Sequence, residues 1–177
     1  MSLSQVWYRT RQFWLAWRAE PPFDSELTAA RSVLTTEQMN LFLLLQPSEQ
    51  IHALRVLQTI QLQGESDPDL QTAALLHDIG KARAPLKLWE RVVIVLGKRF
   101  FPRRAWSWGQ GKPQGWKRPF VVAEQHPTWG GEMTAKVGLS PVAISLIRRH
   151  QTSDALDPAR REEDRLLSIL QAADRQN

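Results

Sequence analysis

The chain of 177 residues has the length of one domain, and its hydrophobic content of 42% is sufficient for a buried core. It contains no cysteine, which excludes disulfide bridges and thiolate metal sites, so any metal ion must be held by imidazole and carboxylate groups. The formal net charge of +5 favours anionic partners, although a charge of this size also serves solubility alone.

The first twenty residues form a predicted unit of their own. Residues 3–19 place Trp7, Trp14 and Trp17 at helical spacing with arginines beside the apolar stripe, which predicts an amphipathic helix that ends at the following Pro-Pro pair. Such a helix packs on its own domain, contacts a partner protein or lies on a membrane surface. No apolar run approaches the ~18 residues of a membrane span. A signal peptide is not recognisable either, so we expect a cytoplasmic protein that is at most peripheral to a membrane.

Residues 24–63 carry the signals of three helices. The first is predicted over about 24–33 and the second over 37–45, each with a hydroxyl or carboxylate side chain at its start. The third begins at Pro47, which suits a first helical turn, and continues to about Gln63. Its buried side is aliphatic, and His52 lies beside that side.

The next predicted helix begins at Asp67-Pro68 and ends in the run His77-Asp78-Ile79-Gly80-Lys81. Neighbouring side chains on a helix diverge, but a His-Asp pair can reach one ion if the helix ends there, and Gly80 is a candidate for that end. The run therefore predicts a metal platform with a cation, Lys81, three residues after the carboxylate.

Residues 85–119 divide into a helix and a loop. A helix over about 86–98 follows Pro85; its Val92–Leu96 segment is apolar enough for a strand, but nothing else in the chain would pair with it. Residues 99–119 interleave six Lys or Arg with five Phe or Trp and contain several Gly and Pro, which predicts a long loop. Basic and aromatic groups together suit phosphates and bases or a lipid interface, and they also occur on plain packed surface loops.

Three further helices are predicted toward the C-terminus. His126-Pro127 is expected to open a helix over 127–137, with the proline in its first turn. A helix over 142–151 places His150 on its apolar face. The last helix is predicted to begin at Asp157-Pro158, and Asp174 falls on its apolar stripe.

Six candidate metal ligands thus lie on or beside apolar helix faces. A single imidazole in such a place is most often a satisfied core histidine, because a buried polar group is costly unless it is paired. Here the pattern uses every histidine of the chain and two aspartates, and a pair of metal ions that share a carboxylate would gather them all. The six candidates are His52, His77, Asp78, His126, His150 and Asp174.

The order of these six residues resembles that of the HD superfamily, the His-Asp metal-dependent phosphohydrolases. The run His77 to Lys81 resembles its HDIG variant, and His126-Pro127 followed by Gly130 is similar to the HPxxG element of its binuclear members. The resemblance covers about residues 47–175. It implies an all-α helical bundle, an HD domain over residues 21–177, to which this chain adds the N-terminal amphipathic helix of residues 1–20 and the basic, aromatic loop insertion of 99–119.

The resemblance also implies two divalent metal ions, of Fe, Mn, Co or Zn. One ion would be held by His52, His77, Asp78 and Asp174. The other would be held by His126 and His150, with Asp78 as the bridging ligand. A mononuclear site, with His126 and His150 lining its pocket, stays open.

The implied activity is hydrolysis of a phosphate ester or phosphoanhydride bond by a metal-activated hydroxide, with Asp78 and Lys81 as the catalytic residues. Lys81 and Arg83 are candidates for binding the substrate phosphate. Arg149 is either a further phosphate contact or part of a solvated helix face. The expected substrate is a nucleotide or dinucleotide, as for small stand-alone bacterial HD proteins, and no specific nucleic-acid partner is predicted.

Two departures argue against hydrolysis of cyclic di-GMP. Phosphodiesterases with the HD-GYP signature carry a His-His pair where this chain has Arg149-His150, and the Gly-Tyr-Pro signature is absent. Two other functions stay open. Some HD members are di-iron oxygenases with the same ligand order, and a non-catalytic metal- or nucleotide-binding module would dock through the tryptophans of the N-terminal helix.

Overall fold

The computed structural model describes residues 21–152 and 160–177, and the predicted amphipathic helix over 3–19 lies outside these ranges. Within them the chain is all-helical, which confirms the expected fold class. The helices are α1 Asp24–Arg31, α2 Thr36–Phe42, α3 Pro47–Leu62, α4 Pro68–Leu76, α5 Leu88–Phe100, α6 Pro102–Gly109, α7 Arg118–Lys136, α8 Pro141–Arg149 and α9 Arg161–Gln176. Two 3₁₀ helices, Ile79–Arg83 and Gly115–Lys117, precede α5 and α7. None of the helices in the described ranges combines the length and apolar character that a bilayer crossing requires.

Several helices begin where the sequence signals place them. Proline occupies the first turn of α3, α4 and α8. Asp67 accepts a hydrogen bond from the Leu70 amide (2.9 Å), and Ser140 accepts one from the Ala143 amide (3.0 Å). Each cap satisfies an amide that the helix itself leaves unpaired and stabilises the helix by about 1 kcal/mol.

The main core is formed by α3, α4, α8 and α9, which pack against one another. Leu57, Leu70, Leu146 and Leu170 are fully buried at their junction. Burial of each such side chain contributes about 1.5–3 kcal/mol relative to exposure. The core itself therefore fixes the helices that contain His52 and Asp174 and those that end just before His77 and His150.

The first 3₁₀ helix lies against α7 with almost no space between the two backbones. A Cβ atom at Gly80 would be 1.9 Å from the carbonyl oxygen of His126 and 2.7 Å from the amide nitrogen of Gly130. The prediction that Gly80 ends the preceding helix is wrong, because α4 already ends at Leu76 and Gly80 lies inside the 3₁₀ helix. Glycine is needed at this position because it lets the backbones of the 3₁₀ helix and α7 approach each other closely.

The predicted loop over 99–119 is wrong. Helix α5 continues to Phe100, α6 follows directly, and a 3₁₀ helix precedes α7. Packing onto α7 explains why this segment forms helices and not a long loop. Trp108 contacts Trp116 and Phe120 at ring-centroid distances of 5.0 and 4.9 Å. The apolar segment Val92–Leu96 is helical, as expected.

The predicted helix start at His126-Pro127 is also wrong. Helix α7 begins at Arg118, with Pro119 in its first turn, and Pro127 lies inside it. A proline in a helix interior removes one amide donor and is normally disfavoured, but here the preceding turns are held by buried side chains such as Val122. The predicted start of the last helix at Asp157-Pro158 lies outside the described residues.

Candidate metal centre

The fold brings all six predicted ligands together. His52, His126 and Asp174 lie within α3, α7 and α9. His77 and His150 are the residues that directly follow α4 and α8, where a helix end lets the side chain turn toward the centre. The donor atoms form two groups, within each of which they lie no more than 4.8 Å apart: His52, His77 and Asp174, and Asp78, His126 and His150.

The first group is centred on Asp174. Its Oδ1 lies 2.9 Å from His52 Nε2 and 3.6 Å from His77 Nε2. His52 and Asp174 retain about a quarter of their side-chain exposure, whereas His77 is buried. This group therefore sits at the edge of the core, with one side toward solvent.

The second group is fully buried. Oδ1 of Asp78 lies 3.2 Å from His126 Nε2 and 3.8 Å from His150 Nε2. The two imidazole Nε2 atoms are 3.3 Å apart.

Asp78 connects the two groups through its two carboxylate oxygens. Oδ1 belongs to the second group, and Oδ2 lies 3.6 Å from Nε2 of His77 in the first. Oδ2 also accepts a hydrogen bond from Lys81 Nζ at 2.5 Å. A carboxylate with this orientation is suited to bridge two cations.

The hydrogen bonds of the buried rings leave their inner nitrogen atoms free to bind metal. Nδ1 of His77 lies 2.9 Å from the Ala74 carbonyl, and the Nδ1 atoms of His126 and His150 lie 3.0 and 2.7 Å from the carbonyls of Val122 and Ile147. A carbonyl only accepts, so each Nδ1 donates, and in a neutral ring each Nε2 then holds a lone pair. Carbonyl-bound Nδ1 atoms of this kind orient the imidazole ligands of many metal sites.

These lone pairs need a cation. Nε2 of His77 is a buried atom with no hydrogen-bond partner in the described part of the chain, a costly arrangement. The Nε2 atoms of His126 and His150 face each other at 3.3 Å. A divalent ion in each group would satisfy these atoms, so the donor set fits a metal centre.

The protonation states agree with metal binding. Burial lowers the pKa of His77, and burial with the neighbouring His77 and His126 lowers the pKa of His150 to about 3, so both rings are neutral at pH 7. Burial alone would raise the pKa of Asp78, but Lys81, His77 and His126 together hold it well below its usual range. Burial likewise opposes ionisation of Asp174, whose pKa is nevertheless lowered by the hydrogen bond from His52 and by the nearby His77. Neutral imidazoles and ionised carboxylates are the forms that bind metal.

The three predicted phosphate-binding cations differ in their surroundings. Lys81 lies in the candidate metal centre, where its ammonium group pairs with the carboxylate of Asp78. Arg83 is 56% exposed, pairs with Glu132 at 3.1 Å and lies over the ring of Trp129.

Arg149 is held between two carboxylates, at 2.8 Å from Glu163 and 2.6 Å from Asp164. This placement gives no support to a role in substrate binding, which for Arg83 and Arg149 stays a prediction.

A pocket of about 230 Å³ opens over His126 and Lys81. Arg91 and Lys98 line it and are paired with Glu49 and Glu124 at 2.8 and 2.7 Å. Neither cation is among the site residues predicted from the sequence, although their spacing places both on one face of the predicted helix. The other lining residues are Glu49, Leu86, Ile94, Val95, Ala123 and Gln151.

The comparisons with known proteins agree with this geometry. The family model of the HD domain matches residues 50–176, which is most of the chain and includes all six predicted ligands. Searches of the curated proteins and of the solved structures gave no significant match. The match and the buried His/Asp cluster together indicate divalent metal binding. On this evidence the chain belongs to the HD domain family.

Proposed function

We propose that this chain is a phosphohydrolase that uses two divalent ions, of Fe, Mn, Co or Zn, to cleave a phosphate ester or phosphoanhydride bond in a nucleotide or dinucleotide. The observation that carries the proposal is the position of Asp78. Its carboxylate lies between two groups of donors and presents one oxygen to each. Two ions that share a carboxylate are a common arrangement in enzymes that hydrolyse phosphate esters.

The residues divide naturally between the two ions. His52, His77 and Asp174 would hold one, His126 and His150 would hold the other, and Asp78 would contact both. Ions held there supply Lewis acidity, which makes a water molecule reactive toward phosphorus and offsets charge on the phosphate oxygens.

The chain's own side chains bind and orient the substrate. The ammonium group of Lys81 lies in the pocket beside Asp78 and provides positive charge for a phosphate oxygen. Leu86, Ile94 and Val95 provide apolar walls that limit access of water. The pocket of about 230 Å³ is smaller than the roughly 300–1,000 Å³ of typical ligand sites. We therefore expect it to take the phosphate end of the substrate, with the base outside.

The test is metal content per chain, measured together with activity. We expect two equivalents in the wild type and one in His126→Ala, because the second group loses a ligand and retains only Asp78 and His150. His52→Ala should likewise lose an equivalent from the first group. Arg83→Ala is the control, since this exposed side chain contacts no ligand residue and should leave both equivalents in place.

The activity screen uses protein loaded with Mn²⁺, Fe²⁺ or Co²⁺ against nucleoside monophosphates and dinucleoside polyphosphates. Hydrolysis that requires the metal supports the proposal. Unchanged metal content in His126→Ala would contradict the two-ion assignment, and inactivity on every substrate with both metals bound would contradict the phosphohydrolase. A mixed-valence di-iron signal in aerobically purified protein would instead favour an oxygenase.

A further inference from the structure

Helix α5 carries an apolar stripe that the described part of the chain leaves largely exposed to solvent. Trp89, Val93, Leu96 and Phe100 follow the spacing i, i+4, i+7 and i+11, which places them on one face. Trp89, Leu96 and Phe100 are 57%, 51% and 65% exposed. The other faces of the helix are used within the domain, since Gly97 lies against the ring of Phe120 and other residues line the pocket.

The apolar surface continues beyond α5. Phe101 and Trp106 are 53% and 62% exposed around the corner between α5 and α6, and Trp116 in the second 3₁₀ helix is 61% exposed. Phe101 also lines a wide, solvent-open hollow together with Pro102, Arg103 and Arg104. We give the name hairpin surface to twelve exposed or half-buried residues between the start of α5 and the start of α7: Trp89, Val93, Leu96, Arg99, Phe100, Phe101, Arg103, Arg104, Trp106, Lys112, Trp116 and Lys117.

The charge of the hairpin surface has one sign. Residues 91–123 contain eight Lys or Arg and no Asp or Glu. Three of the eight pair with carboxylates from outside this segment. The other five are exposed and have no carboxylate partner within the described ranges: Arg99, Arg103, Arg104, Lys112 and Lys117.

We propose that the hairpin surface binds the surface of an anionic lipid bilayer. Helices of this type lay their apolar side chains into the boundary between headgroups and acyl chains, with Lys and Arg beside anionic headgroups. Tryptophan favours the same depth. The proposal does not depend on the reaction catalysed at the metal centre.

Two other occupants fit less well. In a symmetric dimer through this surface, like charges such as Arg103 and Arg104 of the two copies would approach each other, which opposes association. Single-stranded nucleic acid would use aromatic side chains for stacking, but it gives no role to the aliphatic Val93 and Leu96 in the centre of the stripe.

The experiment measures binding of the full chain to sedimented vesicles. We expect binding to vesicles of phosphatidylcholine and phosphatidylglycerol in about a 7:3 ratio and much weaker binding to phosphatidylcholine alone. The double variant Leu96→Glu/Phe100→Glu should lower the partition coefficient by about tenfold or more, because it replaces inserted apolar groups by anions. Residues 1–20 are present in every variant, so their contribution is the same throughout.

The apolar double variant has a matched control, and a second test with its own control removes positive charge. Leu44→Glu/Leu62→Glu introduces the same charges at leucines that are 59% and 81% exposed elsewhere on the domain, and it should leave binding close to that of the wild type. Arg103→Gln/Arg104→Gln should weaken binding to anionic vesicles by about tenfold or more. Arg55→Gln/Lys136→Gln, which lowers the net charge equally on other surfaces, should have much less effect.

Three results would overturn the proposal. The first is an equal loss of vesicle binding in the variants of the hairpin surface and in their controls. The second is binding of Leu96→Glu/Phe100→Glu to anionic vesicles at the wild-type level. The third is a wild-type chain that binds homopolymeric RNA but not anionic vesicles.

Discussion

Replacement of Asp78 by asparagine is expected to lower phosphohydrolase turnover by about three orders of magnitude or more. The carboxylate presents one oxygen to each donor group, so its loss removes a ligand from both proposed ions at once. An amide also lacks the charge that offsets Lys81 and the two cations. The measurement is turnover with saturating metal, together with metal content, which we expect to fall by at least one equivalent per chain.

The matched control for this variant is Asp164→Asn. Asp164 is as buried as Asp78, but it pairs with Arg149 at 2.6 Å and is not one of the six donors. Its loss should reduce stability, since it leaves the partly buried guanidinium group of Arg149 with one carboxylate partner fewer, while metal content stays at the wild-type value. If Asp78→Asn retains both metal equivalents, or if the two variants lose metal equally, Asp78 is not the bridging ligand.

The cluster of donor residues in the candidate metal centre could be predicted from local signals. A histidine or aspartate on an apolar helix face is unusual, and the sequence places six of them within a family-specific order. The packing of α3, α4, α8 and α9 then brings four of these residues together without any further information. His126 lies with the other predicted donors although the predicted start of its helix is wrong, because the chemistry of its side chain does not depend on that boundary.

Residues 99–119 could not be predicted in the same way. Their glycines and prolines are typical of loops, but Gly109 packs against the side chain of Glu124, and a Cβ there would lie 2.2 Å from Glu124 Cγ. Gly109 therefore permits close packing of its helix against α7, which becomes apparent only with the neighbouring helix in place. The position of Arg91 in the pocket could not be predicted for a related reason: its partners, Gln46 and Glu49, are more than 40 residues away in sequence.

Gly80→Ala is expected to lower the free energy of unfolding by about 3 kcal/mol. The added methyl group would overlap the His126 carbonyl oxygen and the Gly130 amide nitrogen, and both are backbone atoms that cannot move aside by a change of rotamer. Either the 3₁₀ helix or α7 must shift as a whole. Denaturant titration of the metal-free protein measures the loss directly, without the stabilisation that bound metal would add.

The control is Gly111→Ala, an exposed glycine whose added methyl group would find its nearest neighbour at 4.0 Å; it should change stability by no more than about 0.5 kcal/mol. A shift of the 3₁₀ helix relative to α7 would also move two proposed metal ligands apart. Asp78 immediately precedes the 3₁₀ helix, whereas His126 lies in α7. We therefore expect metal affinity to fall together with stability, even in protein that remains folded. A variant with wild-type stability would show that the two backbones are not in contact in solution. A destabilised variant with unchanged metal affinity would show that this contact supports the fold without positioning the ligands.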